Sequence, residues 1–278
     1  ACGWVPRCEH CDVSLTYHRG TNSLVCHYCG AVYRVPERCP ACEGTQLDDR
    51  GFGTEKIEDT VRELFPKARV ARLDLDTTRS RSAYDRILSA FRDGKTDILI
   101  GTQMVSKGLD FDRVRVVGVL DADAAMNVPD FRSYERAFQM MSQVAGRAGR
   151  RDTRGTVILQ TRRPETELIA QVAANDYTGM YETQIQEREA FGYPPFCRLI
   201  YIYLRHRSQY VADCASRDMA AALLPIFGDN LLGPANPPVA RIKSLFIRQI
   251  MLKVERTAPV ARVRSVLPVS YTHLTLPT

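Results

Sequence analysis

Seven of the nine cysteines in this 278-residue chain fall within its first 42 residues. Six of them form three Cys-x-x-Cys pairs, Cys8/Cys11, Cys26/Cys29 and Cys39/Cys42, and Cys2 stands alone. A pair spaced in this way makes a knuckle that grips one side of a tetrahedral ion, so two knuckles make one closed four-thiolate zinc site. The run Cys8-x2-Cys11-x14-Cys26-x2-Cys29 supplies one complete ribbon. Cys39 and Cys42 are then left to Cys2 and a fourth ligand, so the second site encloses the first in sequence. A knuckle partner for Cys2 falls two residues before Ala1, and the expectation is a chain that begins inside a motif. His10, His18 and His27 are alternative ligands, but each is read as a surface residue.

Disulfides are the rival use of these thiols. A secreted scaffold spreads its cysteines through a small, loop-rich chain. Here they crowd one end of a long one, and the two stragglers, Cys197 and Cys214, sit among apolar residues and are read as buried packing residues. The expectation is two structural zinc ions in a reducing cytoplasm. Residues 1–44 lack hydrophobic periodicity, so metal must supply the stability that apolar burial does not. Gly30, directly after Cys29, is placed to take the positive φ that lets a chain turn tightly around an ion.

Beyond residue 51 the pattern changes to alternating helix and strand. Ile57, Val61, Leu64 and Phe65 stripe a helix over Thr54–Phe65, ended by Pro66. Val70–Leu75 reads as a strand, and Tyr84, Ile87, Leu88 and Phe91 stripe a second helix. Short apolar runs at 97–102, 114–120 and 155–161 have the character of buried parallel strands, with helices over 132–146 and 165–174. Such repeats imply an α/β fold with a doubly wound parallel sheet, which binds ligands beyond its strand carboxyl ends. A polar helical connector spans 176–194, and a small α/β domain follows over 195–267: strand 198–205, helix 211–227, a Gly/Pro-rich loop, strand 245–255 and a basic helix near 259–267. Residues 268–278 carry no acid, Lys or Arg, and are expected to be a non-native tail. The expected domains are therefore 1–44, 45–175, the connector, and 195–267.

No run of 18 apolar residues is present, so no membrane span is expected. The formal net charge of +6 is concentrated: Arg241, Lys243, Arg248, Lys253, Arg256, Arg262 and Arg264 stand against Glu255 between residues 238 and 268. This is either a solvated basic face or a polyanion-binding patch.

Two strings carry candidate chemistry. Gly101-Thr102-Gln-Met-Val-Ser-Lys107-Gly108-Leu-Asp110-Phe111 follows an expected buried strand, where loop amides and hydroxyls meet phosphate oxygens. Gln143-Val-Ala-Gly146-Arg147-Ala-Gly149-Arg150 places two arginines three apart, on one side of a helix. The planar arginine fork suits a γ-phosphate and offsets charge that develops in phosphoryl transfer.

These strings resemble motifs V and VI of superfamily 2 helicases. With the knuckle array ahead of them, Phe52-Gly-Thr-Glu55 opening the lobe and Asp130-Phe-Arg-Ser-Tyr-Glu-Arg136 before motif VI, the chain resembles the PriA (primosomal protein N′) family of bacterial replication-restart DNA helicases. The resemblance covers nearly everything from Cys2 to Leu267. It implies a RecA-like second helicase lobe with an inserted zinc-knuckle module and a small C-terminal α/β DNA-binding domain. It implies that Gln143, Arg147 and Arg150 face ATP with Mg2+, the arginines near the γ-phosphate, with Gly108, Asp110 and Gly146 beside the nucleotide. Thr102 and Lys107 would contact DNA phosphates, and Arg241, Lys243 and Arg248 would line a DNA surface. Cys2, Cys8, Cys11, Cys26, Cys29, Cys39 and Cys42 would hold the two Zn2+. It further implies 3′-to-5′ unwinding of branched forks and single-stranded DNA, with primosome proteins and single-stranded DNA-binding protein as partners. The chain itself contains no Walker A lysine or DEAH-type box, and alone it is expected not to hydrolyse ATP. The competing reading is a non-enzymatic zinc-dependent DNA-binding or scaffold protein that keeps the lobe shape; a G-x-x-x-x-G-K-[ST] loop upstream would decide for the motor.

Overall fold

The structure, a computed structural model, describes residues 2–45, 47, 53–74, 77, 78, 80–102, 114–146, 155–259, 261, 263 and 265. By their packing the residues divide into two compact units. One comprises Ala1–Asp49 together with Glu187–Thr278, and the other Arg50–Gln186. The cysteine-rich segment therefore packs with the carboxy-terminal region, although it was expected as a module of its own ahead of the lobe.

In the first unit, β1 (Thr16–His18), β2 (Ser23–Val25) and β3 (Val32–Arg34) form an antiparallel ribbon in the order β1-β2-β3. Each strand has three residues, too few to show periodicity, which is why sequence patterning missed them. Gly30 has φ 81°, and its amide donates to the Cys26 carbonyl at 2.8 Å, closing the turn between β2 and β3.

The remainder of this unit is a four-stranded antiparallel sheet under one long helix. β8 (Cys197–His206) pairs with β11 (Leu245–Glu255) along its whole length, from Cys197 opposite Glu255 to His206 opposite Phe246. β9 (Leu231–Ala235) and β10 (Arg241–Ile242) also pair with β11. β9 occupies part of the expected Gly/Pro-rich loop. It is recruited because Gly233, at φ 105°, lets its backbone approach β11 to where an added Cβ would stand 2.9 Å from the Gln249 carbonyl oxygen. Alternate residues Ile200, Ile202 and Leu204 of β8 and Ile250, Leu252 and Val254 of β11 turn towards α7 (Gln209–Phe227), where Ala220 and Leu223 meet them. The basic helix is described only at 261, 263 and 265, where Val263 joins this core; residues 268–278 lie outside the described residues.

In the second unit, β4 (Val70–Leu73) pairs in parallel with β5 (Ile98–Gly101), and β6 (Val116–Val119) with β7 (Thr156–Leu159). α1 (Thr54–Leu64) precedes β4, and α2 (Arg81–Arg92) makes the β4-to-β5 crossover, capped by the Ser80 hydroxyl accepting from the Ala83 amide at 3.2 Å. α3 (Ala122–Met126) and α4 (Ser133–Ala145) lie between β6 and β7, and α5 (Glu167–Ala174) follows β7. α6 (Tyr177–Ala190) lies within the stretch 176–194 that the sequence marks as polar and helical. Leu73 and Leu88 centre one core; Met126, Phe138, Met141 and Leu168 centre another. Parallel strands joined through helices bear out the α/β class expected for the lobe.

Candidate metal centre

Two short turns build the first cysteine cluster. The Cys8 amide donates to the Val13 carbonyl at 3.0 Å, folding the Cys8 to Cys11 knuckle back on itself, and an Arg7–Ser14 bridge closes it. The Cys26 amide donates to the Ala31 carbonyl at 2.9 Å and fixes the second knuckle at the end of β2. The ligand atoms of Cys8, Cys11, Cys26 and Cys29 consequently all lie within 4.8 Å of one another. A tetrahedral zinc with bonds of about 2.3 Å sets its sulfurs about 3.8 Å apart. The Cys8 and Cys29 sulfurs stand 3.6 Å apart, so the set fits the ion.

The donors around these sulfurs suit thiolates. The His10 amide donates to Cys8 Sγ at 3.4 Å, the Tyr33 hydroxyl lies 3.4 Å from the same sulfur, and the Lys243 amide donates to Cys11 Sγ at 3.3 Å. Burial pushes the Cys11 thiol up to about 12. Burial acts on Cys8 in the same direction, but Tyr33, the His10 amide and the neighbouring thiols outweigh it and bring Cys8 down to about 6. Sulfurs this close cannot all ionise without a cation, and a divalent ion removes that conflict by holding every thiol as thiolate. Tyr33 was not singled out in the sequence, where only its position four residues after Cys29 marks it; β3 brings it to the cluster.

The second cluster brings together Cys2, Cys39 and Cys42, again with ligand atoms within 4.8 Å. Cys2 and Cys39 sulfurs are 3.5 Å apart, and the Cys39 amide donates to the Gly44 carbonyl at 2.9 Å. The Trp4 backbone, with Cys42 and Cys39, lowers Cys2 to about 7. Cys39 is buried, whereas Cys2 and Cys42 are exposed. Among the described residues no fourth donor completes the set, and neither cluster includes a histidine. The three thiols fit one side of a zinc ion. The stragglers Cys197 and Cys214 are half-buried rather than buried as expected, and the Cys197 thiol donates to the Gly192 carbonyl at 2.9 Å.

Of the residues expected to face nucleotide, Gln143 is exposed on the last turn of α4, and Gly146 is its exposed C-cap. Thr102 is exposed immediately after β5. Arg147, Arg150, Lys107, Gly108 and Asp110 lie outside the described residues. Of the three expected DNA contacts in the basic patch, Lys243 is exposed and Arg241 is half-buried, its guanidinium 5.8 Å from the Phe246 ring centre. Arg248 is placed differently from the expectation. It is 7% exposed, and its Nε donates to the Asp213 carboxylate of α7. Period two in β11 puts it on the face of Ile250, Leu252 and Val254, which the core occupies.

Two buried carboxylates escaped the sequence reading. Asp74, just beyond β4, accepts from Thr54 Oγ1 at 2.5 Å and the Thr77 amide at 2.9 Å. Asp123 on α3 accepts from Thr161 Oγ1 at 2.9 Å and the Arg162 amide at 2.8 Å. Asp74 ties the end of β4 to the start of α1, and Asp123 ties α3 to the residues after β7, contacts between segments distant in sequence.

Comparison with known proteins agrees with this architecture. Residues 8–34 match the PriA DNA helicase Cys-rich region (CRR) domain, 52–152 the helicase conserved C-terminal domain, and 189–272 the primosomal protein N C-terminal domain. Replication restart protein PriA of Bacillus subtilis is 42% identical over 257 residues, covering 92% of this chain and 32% of the relative. Those of Treponema pallidum and Haemophilus influenzae are 40% and 39% identical, covering 91% of this chain and 39% and 35% of the relatives. The chain thus spans about a third of the length of the curated relatives it matches. With a Cys-rich ribbon, a helicase C-terminal lobe and a primosomal C-terminal domain in that order, the chain belongs to the PriA family of replication restart proteins.

Proposed function

We propose that this chain is the C-terminal part of an ATP-dependent 3′-to-5′ DNA helicase that acts at stalled or branched replication forks and restarts replication through primosome assembly. The observation that carries the reading is the order of the three matched segments along one chain, ribbon, lobe and C-terminal domain. A scaffold protein would need the ribbon and the C-terminal domain, but not the Gln143 to Arg150 string.

In this reading ATP and Mg2+ bind between this lobe and another. Arg147 and Arg150 reach the γ-phosphate while Gln143 and Gly146 position that helix end; Gly108 and Asp110 lie beside the nucleotide. The arginines stabilise charge that grows on the transferred phosphoryl group, which is positioning and electrostatics rather than covalent chemistry. Hydrolysis removes the attraction that closes the cleft, and Thr102 and Lys107 shift their hold along the tracking strand. The domains at 1–44, 45–175 and 195–267 would divide these tasks among metal-stabilised docking, motor and DNA binding. Two zinc ions stabilise the ribbon. Single-stranded DNA-binding protein and primosome proteins would be partners, in the cytoplasm. No described helix is long and apolar enough to cross a membrane.

The test uses the complete protein. Arg147→Ala and Arg150→Ala should each abolish unwinding of a forked substrate while fork binding survives. Near-normal ATPase and unwinding in both variants would refute the assignment.

A further inference from the structure

The hairpin joining β10 to β11 has two central residues, Lys243 and Ser244, with φ 50° and 60°. Both lie in the left-handed region. Such two-residue turns select Asn and Gly, because other side chains crowd the backbone there. A Lys-Ser pair is held in that conformation by something outside the hairpin, and the contacts show what it is. The Lys243 amide donates to Cys11 Sγ at 3.3 Å, across 232 residues of sequence. The Ser244 amide donates to the His10 carbonyl at 2.7 Å, and the Asp12 amide donates to the Arg241 carbonyl at 2.8 Å. His10 Nδ1 and Ser244 Oγ share a further hydrogen bond at 3.2 Å. Ile242 packs against the cluster of Cys8, Cys11 and Cys26.

His10, Cys11 and Asp12 therefore meet the hairpin at three successive residues, and Cys11 is 1% exposed. A buried thiolate needs donors that water cannot provide, and such outer-shell donors set both the orientation and the affinity of a metal ligand. We infer that the Lys243-Ser244 turn is the outer shell of the Cys8/Cys11/Cys26/Cys29 metal site. It fixes the Cys11 sulfur and the knuckle around it, so metal retention in the ribbon and order of the carboxy-terminal hairpin are one coupled property. Coupling of this kind is reciprocal: whatever loosens the hairpin loosens the metal, and metal loss frees the hairpin. Lys243 and Ile242 are positioning residues, since they touch cysteines of the cluster, and Ser244 acts one step further out, through His10. The inference stands whether or not the motor assignment does.

Amide hydrogen exchange on the zinc-loaded chain tests it without any substitution. The Lys243 and Ser244 amides should exchange at least about tenfold faster after zinc removal, while Ile202 and Ile250 keep their protection. Equal exchange of both turn amides with and without zinc would overturn the inference. A second arm follows zinc transfer to a chromophoric chelator in a Cys2→Ser/Cys42→Ser background, so that the first cluster reports alone. Ile242→Asp should speed release about 10- to 100-fold. Lys243→Asn/Ser244→Gly keeps both amides in a favoured turn sequence and should release zinc within about twofold of the parent. Release from Ile242→Asp at the parent rate, or from the Asn-Gly turn as fast as from Ile242→Asp, would equally overturn it.

Discussion

Arg248 of β11 donates from Nε to the Asp213 carboxylate of α7, and from its Nη1 to the Ile247 carbonyl at 2.9 Å. The pair clamps the helix to the sheet at one end of a face that is otherwise aliphatic. Removing one member of a buried pair leaves the other charged and unmatched. Asp213 is 37% exposed at its side chain, so water tempers that cost. Asp213→Ala should destabilise this unit by about 1–3 kcal/mol, and Arg248→Met, which leaves only a half-exposed carboxylate and fills the apolar face, by clearly less. Urea unfolding followed by far-UV circular dichroism compares them. Equal stability of Asp213→Ala and the parent would show that the pair contributes nothing.

In the other unit, Asp97 clamps the starts of β4 and β5. It accepts from Arg69 Nε at 2.9 Å, from Arg69 Nη2 at 2.6 Å and from the Arg69 amide at 2.8 Å. The Arg69 side chain, then its amide, hold the Asp97 carboxyl down to about 2. A carboxyl depressed by folding contributes its stability above the ordinary aspartate value of about 4. As pH falls from about 4 towards 2, the unfolded chain takes up a proton that the folded chain resists, and the contribution is lost. Asp97→Asn should therefore show a shallower fall in melting temperature across that window than the parent. Parallel curves for the two proteins would rule the clamp out as a source of acid sensitivity. The comparison belongs at low salt, because both side chains are largely exposed.

The lobe's longer helices and its strands were legible because each carries a helical stripe or a short apolar run, whereas the five-residue α3 carries neither and was missed. The Ile57, Val61 and Leu64 stripe marks α1, and the Ile98-Leu-Ile100 run marks β5. β1 to β3 were not, since three-residue strands held by knuckles leave no period to read. The grouping of the cysteines into two clusters was legible from spacing alone, as each knuckle is local. Their outer shell was not, because Lys243 reaches Cys11 only through the tertiary fold. Arg248 shows a signal present but unread. Counting residues in the basic patch counted its charge, whereas the alternation of Arg248 with Ile250 and Leu252 already placed it on the buried face.

The two cysteine clusters should differ in how firmly they hold zinc. The first offers four thiols, three of them buried; the second offers three described thiols, of which two are exposed. Fewer ligands and open access favour exchange. Elemental analysis of the purified chain should find one ion that survives mild chelation and a second, substoichiometric one that does not. Cys11→Ser should abolish the resistant ion, and Cys42→Ser should leave it in place. Loss of the resistant ion in Cys42→Ser instead would reverse the assignment of the two sites.

Salt dependence separates a DNA-facing charge from a structural one. Each phosphate neutralised releases counterions, so the slope of log affinity against log salt changes by about 0.7 to 0.9 for each contact removed, for single and double strands respectively. Lys243 is exposed at the hairpin tip, whereas Arg248 is committed to Asp213 inside the fold. Lys243→Asn removes the charge while Asn tolerates the left-handed backbone, so the hairpin keeps its shape. In the complete protein this variant should bind DNA more weakly at every sequence and with a salt slope shallower by about one contact. Arg248→Met, if the protein remains folded by circular dichroism, should leave the slope as it is. A slope unchanged in Lys243→Asn but shallower in Arg248→Met would remove the basic hairpin tip from the DNA interface.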